Sequence, residues 1–196
     1  MRITGGAARG IQLDVPQQDV RPATDYMRES VFNRLGGAIV DKVVLDCFAG
    51  TGAYGLEALS RGAQTCYFLE KNPKVIANLK KNCERVLKSA QRDILTAKII
   101  STDLFCFSPS KIGSVDYVFF DPPYPYWTEK LLEVLSVLEM IARTYPQSLF
   151  IIEHPAQLKW PSEHPLSPID PLKPSKKKNT PSVHFFKTDK ERLLHP

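Results

Sequence analysis

Val43-Val44-Leu45-Asp46-Cys47-Phe48-Ala49-Gly50-Thr51-Gly52 reads as a short apolar strand that ends on an acid and enters a glycine-bearing turn. A strand this uniformly apolar is expected to be buried on both faces, as in the centre of a parallel sheet. A helix is expected next, from about Tyr54 to Arg61, and then a second strand, Cys66-Tyr67-Phe68-Leu69, ending at Glu70. Pro73 opens a long helix in which Val75, Leu79, Val86 and Leu87 mark a buried stripe. Ala97-Lys98-Ile99-Ile100 is a third strand, followed by Asp103, and Asp116-Tyr117-Val118-Phe119-Phe120 is a fourth, ending at Asp121. A helix over roughly 127–142 should turn Leu131, Leu135 and Leu138 to the core, and Ser148-Leu149-Phe150-Ile151-Ile152 is a fifth strand.

Strands alternating with helices imply an α/β fold, a mainly parallel sheet with helices on both faces. Ligands of such folds sit beyond the C-terminal ends of the strands. Asp46, Glu70, Asp103 and Asp121 all fall at those ends, and one shared cleft explains four acids placed that way.

Outward from this unit, Arg2-Ile3-Thr4, the turn-prone Gly5-Gly6 to Gly10, and Ile11 to Val15 suggest a hairpin. Thr24 or Asp25 can cap a helix carrying Met27, Val31 and Leu35, which ends near Gly36-Gly37. Residues 1–37 are therefore expected as an appendage to a main domain over 38–196. The stretch from Pro155 to Pro181 is rich in proline and lysine and reads mostly as loop, before a terminal antiparallel strand at Val183-His184-Phe185-Phe186.

Composition fits an ordinary soluble domain: 196 residues, 43% hydrophobic and 24% charged. No run approaches the roughly 20 apolar residues that span a bilayer, and the N-terminus lacks the apolar core of a secretory signal. A cytoplasmic monomer is expected. Cys47, Cys66, Cys83 and Cys106 lack zinc-ligand spacing, so no metal is expected and reduced, mostly buried thiols are the favoured reading. The net charge is +5, with eight Lys or Arg from Lys71 to Lys98 against Glu84 and Asp93, and eight more from Lys159 onward against four acids. Such an excess can favour polyanions through counterion release, although solvated surface explains any single lysine as well.

The loop after the first strand contains Gly50-Thr51-Gly52-Ala53-Tyr54-Gly55, a G-x-G-x-x-G pattern, with Glu70 placed 24 residues after Asp46 to accept ribose hydroxyls. Taken alone it suits a nicotinamide cofactor or S-adenosylmethionine equally. No Gly-Lys-Ser/Thr follows, so it is not a P-loop. Asp103 can receive an adenine amino group, or simply cap a turn.

Asp121-Pro122-Pro123-Tyr124 favours methyl transfer. Two prolines after a buried strand stiffen the turn, remove two donors and leave carbonyls free to accept. The amino group of a base is a poor nucleophile because its lone pair is delocalised into the ring. Asp121 and the Pro122 carbonyl can each accept one N–H, turning that lone pair toward the methyl and stabilising the charge that grows on nitrogen. Tyr124 offers a stacking face for an extruded base, which Tyr126 and Trp127 could extend, although core or surface packing fits each of those two better.

Together, Arg2-Ile3-Thr4-Gly5-Gly6, Arg21-Pro22-Ala23-Thr24-Asp25, Arg28-Glu29, Asp46 to Ala63, Glu70-Lys71 and Asp121 to Tyr124 resemble the bacterial 16S ribosomal RNA guanine-N2 methyltransferase family (RsmD-like). The resemblance runs from Arg2 to about Ile152. It implies a seven-stranded, Rossmann-like class I methyltransferase fold, S-adenosyl-L-methionine as donor, and a guanine of small-subunit ribosomal RNA as target. Where the family usually has a small residue followed by leucine, this chain has Ala53-Tyr54, and Tyr54 is bulkier. The cofactor residues expected are Asp46, Phe48, Ala49, Gly50, Gly52, Glu70, Lys71, Asp103 and Leu104, and the catalytic ones Asp121, Pro122, Pro123 and Tyr124. Arg2, Arg9, Arg21, Thr24 and Arg28 are expected to hold ribosomal RNA of the small subunit or its assembly intermediate. Two rivals share these motifs: a DNA adenine or cytosine amino-methyltransferase, for whose target-recognition insertion there is little room, and a catalytically silent RNA-binding assembly factor.

Overall fold

A computed structural model describes residues 1–15, 25–170 and 181–194. Arg21, Thr24 and the run Lys176-Lys177-Lys178 lie outside the described residues. Seven strands form one sheet in the order β3-β2-β1-β4-β5-β7-β6. They are β1 (Val43–Asp46), β2 (Thr65–Glu70), β3 (Ala97–Ser101), β4 (Tyr117–Phe120), β5 (Leu149–Pro155), β6 (Leu166–Pro168) and β7 (Pro181–Thr188). The first five run parallel, while β7 lies antiparallel to both β5 and β6. The short β6 falls within the stretch that reads as loop in sequence.

Each central strand alternates its side chains between two cores. Val44, Phe68, Phe119 and Ile151 face one core, packed by α1 (Asp25–Leu35), α2 (Ala53–Ser60) and α3 (Pro73–Ser89). Leu45, Leu69, Val118, Phe120 and Ile152 face the other, packed by α4 (Tyr126–Glu129) and α5 (Leu131–Thr144). A short α6 (Lys190–Leu194) follows β7. Both faces of the sheet are therefore covered, which is why the central β1 and β4 are almost wholly apolar, while β3 and β7 toward the edges mix in Lys98, Ser101, Ser182 and Lys187. α2 is buried along its whole length between sheet and N-terminal segment, and its buried Glu57 is satisfied by the Thr4 N–H and hydroxyl and by Arg61. α3 starts where Asn72 caps it, its Oδ1 accepting from the Lys74 N–H at 3.0 Å, with Pro73 in the first turn.

The N-terminal segment has one bridge, Arg2 to Gln12, in place of extended strands. Ile3, Ala8, Leu13, Val31, Phe32 and Leu35 enter the same core as Leu56, Phe68 and Phe119, so residues before 38 pack directly on the sheet's helices. The single helix expected over 127–142 is two helices, broken at Lys130, whose φ is −134°. Because α5 begins only at Leu131, its core stripe is Val134, Val137, Leu138 and Ile141 at helical spacing, while Leu131 and Leu135 are half-buried. No cysteine is paired: Cys47, Cys66 and Cys83 are buried and Cys106 is exposed. Among the described residues, no helix is long and apolar enough to cross a membrane.

Candidate active site

Strand order reverses between β1 and β4, and the crevice at such a switch point is where α/β sheets bind ligands. The loop after β1 sits there. Gly50 and Gly52 adopt φ of 53° and 83°, a left-handed region costly for residues with a Cβ. Gly52 is hemmed in as well, since an added Cβ would stand 2.5 Å from Leu79 Cδ1. At Gly55, inside α2, a Cβ would meet Phe68 at 2.3 Å, so the third glycine of the pattern serves close packing of helix on sheet.

Asp46 is buried beneath this loop, and its Oδ2 accepts from the Gly55 N–H at 3.0 Å. Burial pushes its carboxyl up to about 7, the Gly55 hydrogen bond pulls it down, and the charge of Glu70 raises it again. Glu70, at the end of β2, is held by three backbone N–H groups: Gly50 at 3.1 Å on Oε2, and Lys71 at 2.9 Å and Asn72 at 2.8 Å on Oε1. Ala49 donates its N–H to the Leu69 carbonyl at 3.0 Å, which ties the loop to β2. Asn82, wholly buried on α3, donates to the Thr51 carbonyl at 3.0 Å and braces the loop from the other side.

Asp103 caps the 3-10 turn Leu104–Cys106 through the Phe105 N–H at 3.2 Å, and its Oδ2 accepts from Lys71 Nζ at 3.0 Å. Partial burial would raise this carboxyl, but the hydrogen bonds from Lys71 and Phe105 outweigh that and hold it below its usual range. Lys71 also donates to the Tyr126 hydroxyl at 3.2 Å, joining the ends of β2 and β3 to the loop after β4. Tyr126 packs edge-on against Phe48 at 5.9 Å, and Phe48 in turn against Phe120 at 5.2 Å. Leu104 is buried below them.

Asp121 follows β4 directly, beside this loop. Pro122 is buried, Pro123 is exposed, and the Tyr124 ring is 38% exposed at the rim. Trp127 is buried in the core against Phe120, the packing role weighed for it in sequence, and adds nothing to the stacking platform. Burial holds the Asp121 carboxyl well above its usual range, with the charges of Glu153 and Asp46 adding to the effect. Glu153 is the residue that sequence reasoning passed over. It follows Ile152 in β5, and burial raises its carboxyl to about 7. The signal was available, since Glu153 ends the fifth apolar run as Asp46, Glu70 and Asp121 end the first, second and fourth.

The structure thus brings Asp46, Phe48, Ala49, Gly50, Gly52, Glu70, Lys71, Asp103, Leu104 and the tetrapeptide Asp121–Tyr124 to one end of the sheet. Arg2 and Arg9 are exposed on the N-terminal segment. Arg28 requires a correction: it is wholly buried on α1, donating to the Arg2 carbonyl and to Asp25 Oδ1 at 2.8 Å, so its guanidinium organises the fold instead of meeting RNA phosphates.

The family model described as "Conserved hypothetical protein 95" matches residues 1–184. "Ribosomal RNA small subunit methyltransferase D" of Escherichia coli (strain K12) is 38% identical over 154 residues, 78% of this chain and 74% of that protein. The protein of the same name from Haemophilus influenzae is 36% identical over 129 residues, 64% of this chain and 65% of its own length. Among solved structures, yhhF from Escherichia coli superimposes with a TM-score of 0.75 at 31% identity, covering 96% of this chain and 98% of that one.

Proposed function

The chain belongs to the Conserved hypothetical protein 95 family, and from that premise we propose that it transfers a methyl group from S-adenosylmethionine to the N2 amino group of a guanine in small-subunit ribosomal RNA. The observation that carries this reading is Asp121-Pro122-Pro123-Tyr124 at the end of β4, beside the glycine loop at the switch point.

The donor set fits the cofactor. Asp46, buried under the glycine loop and pushed up to about 7 chiefly by burial, would be favoured in its charged form by a cation placed beside it. Gly50 and Gly52 would let the backbone approach closely, Glu70 would accept from the ribose hydroxyls, and Asp103 and Leu104 would border the adenine. S-adenosylmethionine supplies, when bound, a methyl group activated by its sulfonium.

The chain's own part is positioning and electrostatics. Tyr124 stacks on the extruded base, as its exposure at the rim permits. Asp121 and the Pro122 carbonyl accept the two N2–H groups, which would draw the nitrogen lone pair out of conjugation with the ring and leave it free to act as nucleophile. Transfer of the methyl from sulfur to the amino nitrogen would leave that nitrogen with one proton to lose. Asp121, with its raised carboxyl, is suited to hold that proton.

The test is transfer from labelled cofactor to unmodified small subunits, naked ribosomal RNA and duplex DNA, followed by nucleoside analysis. N2-methylguanosine in small-subunit RNA is the expected product. Label on adenine or cytosine of DNA, or cofactor binding without any transfer, would overturn the reading.

A further inference from the structure

The wall of the site formed by β5 carries polar groups that the chemistry above leaves unused. Phe119 of β4 pairs in register with Ile151 of β5, and both face the core that holds α1 and α2. Asp121 and Glu153, each two residues further along, therefore extend from the same face of neighbouring strands. Behind them lies Tyr54 of α2, only 5% exposed, its ring stacked on Phe119 at 5.0 Å and 17°. Among the described residues, the Tyr54 hydroxyl and Glu153 Oε2 are buried without a hydrogen bond of ordinary geometry, while the phenol lies near enough to Glu153 to pull its carboxyl down. The charges of Asp121 and Glu153 both act on the Tyr54 phenol, which places it beside the two carboxylates. With the Tyr54 phenol as a loose partner, the Glu153 carboxylate keeps acceptor capacity for a donor that a ligand brings.

Resting on the guanine reading above, we infer that Glu153 is a specificity-determining residue that accepts the N1–H of the target guanine, with the Tyr54 hydroxyl holding its carboxylate in place. Guanine presents two kinds of donor side by side on its pairing edge, the N2 amino group and N1–H. Adenine and cytosine present an amino donor beside a ring nitrogen that accepts. With Asp121 engaging the amino group, the next atom along the edge falls to the neighbouring strand, where Glu153 stands. A carboxylate there rewards guanine and sets a lone pair against the other two bases. Both strands are rigid members of the sheet, so the pair of acceptors is preorganised. A site built to hydrogen-bond a donor rejects an analogue lacking it far more strongly than an apolar pocket could.

2-Aminopurine isolates this contact, because it keeps the 2-amino group but offers an acceptor at N1. The substrates are small subunits reconstituted with guanine or 2-aminopurine at the nucleotide that the labelling experiment locates. The wild-type protein should prefer guanine by about 100-fold in kcat/KM. Glu153→Gln can turn its amide NH2 toward N1 of 2-aminopurine, so the preference should fall at least about 10-fold, the scale of one base-edge contact. Unchanged cofactor affinity by calorimetry would show that the variant is folded. A wild-type protein that methylates both bases equally well overturns the inference without recourse to any variant, and so does a Glu153→Gln protein that keeps the wild-type preference. Failure to methylate even the guanine subunits removes the inference together with the reading beneath it, and is recognisable as that broader failure.

Discussion

The two halves of the cleft are built differently. At the ends of β1, β2 and β3 the fold itself supplies partners for the acids. Asp46 has the Gly55 N–H, Glu70 has three backbone N–H groups, and Asp103 has Lys71 and the Phe105 N–H. Toward the ends of β4 and β5, Glu153 and the Tyr54 hydroxyl have little more than each other, without a hydrogen bond of ordinary geometry among the described residues, and Asp121 lies beside like charge. The first half is set by its own backbone before any ligand arrives. In the second, the groups that would meet the base remain costly until a donor satisfies them, and that cost favours a substrate with donors in the right places.

Asp46 tests how far the first half is truly satisfied, and the largest effect is expected there. An unfolded aspartate titrates near 3.9, whereas burial holds this one at about 7 in the fold. Between those values the folded chain binds a proton that the unfolded chain does not, so the contribution of Asp46 to stability falls as pH rises and levels off above about 7. Asp46→Asn keeps an acceptor for the Gly55 N–H but removes the titration. The stability of the wild type relative to this variant should therefore drop by about 4 kcal/mol between pH 4 and 8 in urea unfolding of the cofactor-free proteins. Taking the difference removes the shared contribution of the buried histidines. A flat difference would mean that the Gly55 hydrogen bond compensates burial fully, and the contrast between the halves would be sharper than described.

Asp121 probes the other half. Asp121→Ala should slow methyl transfer by roughly 10²–10³, the scale of losing one preorganised partner of developing charge, while cofactor affinity stays nearly constant. Asp121→Asn, which keeps an acceptor oxygen without the charge, should fall between alanine and wild type. Single-turnover rates on saturating RNA separate chemistry from binding. A wild-type rate for Asp121→Ala would leave the tetrapeptide a structural turn.

Much of this contrast is legible in the sequence, and the part that is not has physical causes. Short apolar runs predict β1 to β5, most clearly the central β1 and β4, because a strand buried on both faces tolerates little else. Asp46, Glu70, Asp103 and Asp121 then follow from their position alone. Arg28 misleads because its charge suggests solvent, whereas the fold brings the Arg2 carbonyl and Asp25 around it. Glu153 carries the same signal at the end of an apolar run, but β5 continues through His154 to Pro155, so the acid does not stand at the strand's end as Asp46 and Glu70 do. Tyr54 stands out in the sequence only as a bulky residue, and its place between Phe119 and the carboxylates depends on the packing of α2 against the sheet.

Glu70→Ala returns to the cofactor half with a smaller expected effect. Losing a charged acceptor for the ribose hydroxyls should weaken S-adenosylmethionine binding by about 1–3 kcal/mol. Gly50, Lys71 and Asn72 would lose their shared acceptor as well, so thermal unfolding without cofactor should also move downward. Unchanged affinity by calorimetry would take Glu70 out of the site. Tight binding of a nicotinamide dinucleotide would reassign this half of the cleft.

The smallest effect is expected outside both halves, on the N-terminal segment. Arg2 and Arg9 are exposed, and the Arg2 side chain lies 3.8 Å from Asp25, too loosely paired to be neutralised in solvent. If these arginines meet phosphates beside the cleft, each releases a counterion and contributes somewhat under one unit to the slope of log affinity against log salt. Replacing both with alanine should therefore flatten that slope by somewhat less than two units and weaken RNA binding across sequences, with single-turnover rates at saturating RNA little changed. Arg28 belongs in no such variant, because removing a buried guanidinium would strand Asp25 and the Arg2 carbonyl and confuse unfolding with lost affinity. An unchanged slope in the double variant would confine RNA recognition to the cleft itself, where Tyr124 and the two carboxylates would have to supply it.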